Sequence, residues 1–146
     1  MTSLNLSSST SFAIDLKVAL NRSLGLGWRF HDWKDVPSAQ GERIYRFFAR
    51  GGFHEYRIRM PVAPLPAPAA TGDVDLRPAD NFRQELTNRL NKVFPQGWRL
   101  LGRVLESPGR IRFNVRHLEG EAVLRALASP QQYAEFEQLE RAAKTA

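Results

Sequence analysis

FAIDLKVALNRSLGLGWR, residues 12–29, recurs as FRQELTNRLNKVFPQGWR, residues 82–99. Phe12, Asp15, Leu16, Leu20, Asn21, Arg22, Gly27, Trp28 and Arg29 meet identical or conservative partners in Phe82, Glu85, Leu86, Leu90, Asn91, Lys92, Gly97, Trp98 and Arg99. Two copies of one segment imply two copies of one supersecondary unit, packed as quasi-equivalent halves. The repeat names no activity.

Outward from the first copy, Phe12, Leu16 and Leu20 recur at i+4, with Ala13 and Leu24 on the same stripe and Gly25 as a stop, which predicts a helix. Residues 27–35 read as a strand with Trp28 and Phe30 on one face and Arg29 and His31 on the other; strict alternation then puts Trp33 on the face opposite Phe30, exposed. Glu42 to Ala49 and Phe53 to Met60 form a hairpin about Arg50-Gly51-Gly52. In the second copy Asn81 caps a helix carrying Phe82, Leu86, Leu90 and Val93, with Gln84 as a capping-box partner. Trp98 to Leu105 and Arg110 to His117 are strands about Ser107-Pro108-Gly109. Propensity favours helix over strand for residues 120–128. A final helix is expected from Pro130 to about Lys144, with Ser129 as cap, Gln132 as box partner and Tyr133, Phe136 and Leu139 on its docking face.

The expected fold is α+β: an internally duplicated helix-strand-strand(-strand) unit forming an antiparallel sheet with helices packed on one side, plus a C-terminal helix. Residues 1–11 are read as a flexible N-terminus, 12–60 as the first repeat, 61–81 as a Pro-rich linker and 82–146 as the second repeat. A unit of about 50 residues is marginal alone, so the halves are expected to share one core.

The 146 residues are 42% hydrophobic and 25% charged, as in a soluble globular protein. Without Cys there are no disulfides, thiolate nucleophiles or cysteine zinc sites. No secretory signal and no window of about 18 apolar residues is present, so a cytoplasmic protein away from the membrane is expected.

The net charge is +6, and 17 of the 21 basic residues are Arg. The guanidinium fork suits phosphate and carboxylate, which favours an anionic partner; an Arg-, Ala-, Pro- and Gly-rich composition from a G/C-rich coding sequence explains the same count. Arg57, Arg59, Arg99, Arg103, Arg110, Arg112 and Arg116 all fall on predicted solvent faces of strands, and aligned strands would merge them into a phosphate-binding surface joined by Arg29 and Trp33. Trp28 and Trp98 could stack bases, but the reading in which each covers its own helix is preferred.

His31, His54 and His117 lack metal-like spacing, Asp32 and Asp35 read as a polar turn, and no phosphate loop is present. No enzymatic function, cofactor or metal is therefore expected. The favoured reading is a small nucleic-acid-binding accessory protein, for DNA or RNA, using an Arg-rich sheet face with low sequence specificity. The alternative is an interaction module for an acidic protein or ribonucleoprotein partner, anchored by Trp33, Phe47 or Phe48. Residues 44–49 carry apolar side chains on both faces, so the other repeat, a second copy (a homodimer) or a partner should cover one of them. Ion pairing of the arginines with Glu42, Glu55 and Glu106 would argue against the nucleic-acid reading.

Overall fold

A computed structural model describes residues 1–62, 73–135 and 137. The fold is α+β, with two four-stranded mixed sheets. The first half contains β1 (Thr2–Asn5), α1 (Phe12–Leu24), β2 (Arg29–Asp35), β3 (Glu42–Ala49) and β4 (Gly52–Arg59). The second contains β5 (Val74–Asp75), α2 (Phe82–Val93), β6 (Trp98–Ser107), β7 (Arg110–His117) and β8 (Glu121–Leu127). The strand orders are β1-β4-β3-β2 and β5-β8-β7-β6, so the two halves share one topology. In each, the first strand runs parallel to the last and the other pairs are antiparallel.

Equivalence extends to single hydrogen bonds. The Trp28 indole N–H donates to Asn21 Oδ1 at 2.8 Å, and that of Trp98 to Asn91 Oδ1 at 2.8 Å. The repeated Asn therefore satisfies the indole that closes over its helix, as the structural reading of these tryptophans required. Trp28 is buried and Trp98 half-buried. The Leu6 N–H donates to Arg59 O and the Leu76 N–H to Leu127 O, extending the equivalence upstream of the two helices.

Several expectations are corrected. β1 lies in the stretch read as flexible and β5 in the stretch read as linker, each paired through its backbone. Residues 121–127 are a strand: pairing with β7 buries Leu124 and Ala126, overriding their helical propensity. The sheets are mixed and the halves do not share one core. Phe12, Leu16, Leu20, Trp28, Tyr45, Phe47 and Ile58 belong to one cluster, and Leu76, Phe82, Leu86, Leu90, Phe113, Val115 and Leu124 to another. A third helix opens at residues 130–135, where Ser129 Oγ accepts from the Gln132 N–H and Gln132 Oε1 from the Ser129 N–H, the expected capping box. Tyr133 packs on the second core; Phe136, Leu139 and the remainder to Lys144 lie outside the described residues. No helix among the described residues is long and apolar enough to cross a membrane.

The halves meet where β2 lies against β6 and β7 and at the turns that follow α2 and β7. The Phe30 N–H donates to Gln96 O, the Tyr45 hydroxyl to Leu118 O and the Trp33 indole N–H to His117 O, while Leu118 enters the first core. Of the two repeated glycines, only Gly97 serves this junction: its φ is +122°, and a Cβ there would lie 2.7 Å from Phe30 O, whereas a Cβ on Gly27 would meet nothing within 4 Å. Gly97→Ala should therefore cost about 2 kcal/mol or more in denaturant unfolding, and Gly27→Ala no more than about 0.5 kcal/mol. Equal effects would refute the assigned role of Gly97.

Candidate functional site

The open face of the first sheet begins from an irregularity in β2. Phe30 faces Phe47 and Asp32 faces Arg46, which are neighbours on β3, so His31 is an extra residue, a β-bulge. The bulge resets the alternation. Trp33 turns inward to face Tyr45, 5% exposed, instead of outward as expected. Its indole lies under two guanidiniums, with Arg43 Cζ 3.7 Å and Arg116 Cζ 4.3 Å from the ring centroid. The same bulge recurs seventy positions on, where Leu101 is the extra residue. It turns Arg103 from the predicted solvent face toward Phe113 and the helix side, with Glu137 4.0 Å away.

His31 is left on the open face. Its ring lies 4.9 Å from that of Phe53, and its Nε2 is 3.5 Å from Arg99 Nη1 of the other half. Arg99 also lies 3.7 Å from Asp32, whose other oxygen is 3.4 Å from Arg116. Arg116 donates to Trp33 O at 2.7 Å and to Glu121 at 2.9 Å. Burial works against the Arg116 charge, but the Glu121 and Asp32 carboxylates outweigh it and raise its pKa. His31, Asp32 and Arg99 line a cleft of about 330 Å³ together with Trp33, Lys34, Ile44, Arg46 and Glu55. Arg46 donates to Glu55 at 2.8 Å, a bond that draws the Glu55 pKa down. Lys34 is in no ion pair among the described residues.

The arginine surface is not assembled. Glu42 takes Arg57 at 2.8 Å and Arg59 at 3.8 Å, and the hydrogen bond from Arg57 lowers the Glu42 pKa. Glu106 takes Arg112 at 3.5 Å and Arg125 at 3.2 Å, and Arg110 pairs with Asp73. Such exposed pairs add little stability, but they neutralise the field a phosphate backbone would meet. Of the nominated residues the structure places Trp33 and Arg99 in the lining of the cleft, with Arg116 behind them on Asp32 and Trp33 O; Arg29 stays exposed opposite Phe48. Sequence reasoning missed His31, Lys34, Arg46 and Glu55. The repeat alone could have drawn attention to position 31, where the two copies carry His31 and Leu101.

No known family model matches the chain, and no curated protein matches it. Among solved structures it is similar to a putative glyoxalase family protein from Bacillus anthracis, at 15% identity over 88% of this chain and 93% of that one, TM-score 0.28. It is similar to the trypanothione-dependent glyoxalase I of Leishmania major at 14% identity over 99% and 96%, TM-score 0.25. A fosfomycin resistance protein from Listeria monocytogenes, bound to manganese(II) and a dihydroxypropylphosphonic acid, follows at 10% identity over 90% and 93%, TM-score 0.23. These likenesses transfer neither substrate nor residue role.

The expectation of a non-enzymatic, nucleic-acid-binding accessory protein is corrected: Arg57, Arg59, Arg110, Arg112 and Arg116 are neutralised in ion pairs, and polar side chains that the sequence reading passed over converge with Arg99 on one cleft. The interaction-module alternative loses two of its three anchors, because Trp33 and Phe47 are 5% and 0% exposed, while Phe48 is 44% exposed.

His117, at the junction, is 5% exposed and stacks on Phe94 at 4.5 Å. Its Nδ1 accepts from the Glu119 N–H at 3.4 Å, which leaves the ring proton on a buried Nε2 with no hydrogen-bond partner among the described residues. Burial, followed by the Arg43 charge, lowers its pKa to about 4. The fold thus holds His117 neutral, and the unfolded chain, with a value near 6.5, takes up the proton first as the pH falls. Stability should be complete above about pH 6.5 and decline toward pH 4, by up to about 3 kcal/mol. His117→Asn should flatten that part of a plot of Tm against pH; an unchanged slope would assign the loss to other groups.

Proposed function

We propose that the chain binds a small organic anion in the cleft between its halves and acts there as an acid–base site of an enzyme. The observation that carries this reading is the convergence of His31, Lys34 and Arg46 from the first half with Arg99 from the second around one cavity of about 330 Å³. That volume is in the range of small-molecule pockets. Three cationic side chains line it against two carboxylates, so a positive charge is left for a ligand. Arg99 is the anchor: Asp32 holds it from one side while its Nη1 lies beside His31. A carboxylate or phosphonate on Arg99 would sit next to the imidazole, the side-chain type suited to moving a proton near neutral pH. Asp32 positions Arg99, and Arg116 holds Asp32 in turn.

The shared topology, the matching bulges and the matching Asn–Trp bonds support descent of both halves from one duplicated unit. On the same grounds we propose two repeats built on 12–60 and 82–146, each extended upstream by a short parallel strand, β1 in the first and β5 in the second.

Titration with sodium propionate, followed by NMR of the His31 ring and the Arg99 Nε–H, should shift both signals. Arg99→Ala should weaken binding about tenfold, the order expected for losing a hydrogen bond to a charged group. Arg77→Ala, whose side chain is engaged with Asp75, should not. Uniform shifts, or equal losses in the two variants, would overturn the assignment.

A further inference from the structure

Beside the cleft, the open face of the first sheet is apolar at positions where an open face is ordinarily polar. Phe53 is 56% exposed and Phe48 44% exposed, although both are ordered strand residues in direct register. Their rings pack edge to face, 5.4 Å apart at 71°. The pair is continuous with the cleft, because Phe53 also meets the His31 ring and lies under the Arg46 guanidinium, 5.7 Å from its centroid. On the far side, Arg29 shares the face with Phe48, its register partner.

We infer that the cleft's ligand is an amphipathic organic anion: its charged end lies among Arg99, Arg46 and Lys34, and its aromatic or apolar body lies over Phe53 and Phe48. This rests on the reading of the cleft as an anion site. Two phenyl rings bordered by guanidiniums offer a complementary bed for a flat apolar group tethered to an anion, since the apolar body covers the rings while the anion takes the unspent cationic charge. The patch is also small. A stable protein interface needs about 800 Å² from each partner, far more than two Phe side chains expose.

The test is calorimetric titration of the full chain with propionate, 3-phenylpropionate and 3-phenylpropan-1-ol. The expected result is 3-phenylpropionate binding at least tenfold tighter than either of the others. Phe53→Ser and Phe48→Ser should remove that advantage, bringing 3-phenylpropionate down to the affinity that each variant has for propionate; both side chains are exposed, and circular dichroism checks that the fold survives. Equal affinity for propionate and 3-phenylpropionate overturns the placement of the apolar body while the anion site stands. An alcohol that binds as tightly as the acid, or no binding by any of the three, overturns the anion site and this inference with it. Sedimentation showing a dimer that Phe53→Ser dissociates would assign the patch to a second copy and overturn the inference as well.

Discussion

One inserted residue in β2 determines most of what is distinctive here. Because strand side chains alternate, an extra residue at His31 inverts the facing of everything after it, sending Trp33 inward and leaving the imidazole on the open face. An inward Trp33 then places its N–H within reach of His117 O in the other half and offers its ring to Arg43 and Arg116. Those contacts bring Asp32 and Arg116 together and set Arg99 beside His31. The cleft, its cationic lining and the contact between halves therefore descend from one backbone irregularity.

The second half carries the same bulge with different consequences. Leu101 replaces His31, Gly102 replaces Asp32 and Arg103 replaces Trp33, so the equivalent surface has no imidazole and the equivalent inward position holds a guanidinium near Glu137. The shared backbone departure with divergent side chains separates scaffold from site. The Asn–Trp pairs, the helices and the bulges are common to both halves, whereas the cleft is lined by the first half with Arg99 from the second. Each half has its own core, and Leu118 and Gly97 mark where one half intrudes on the other.

The arginines show why composition misleads about surfaces. A net charge of +6 says nothing about where the carboxylates stand, and here each sheet's open face places Glu42, Glu55 or Glu106 within reach of strand arginines. Cross-strand register brought them together over separations from six to nineteen residues. Cationic charge collects in the cleft because β2 carries Lys34 and Arg99 arrives from the second half.

The sequence by itself determined the elements whose causes are local. The repeat, both helices with their apolar stripes, the Arg50-Gly51 and Pro108-Gly109 turns, the β3 and β7 strands and the Ser129 cap all follow from periodicity, propensity or capping within a few residues. Tertiary structure decided the rest, because its causes are pairings between distant segments. β1 and β5 are too short to announce themselves and exist only through their parallel partners β4 and β8. Residues 121–127 prefer helix until β7 supplies a ladder. Trp33, Arg103 and His31 took their faces from bulges that arise only when one strand is registered against another, so a residue's position in the alternation did not reveal its surroundings.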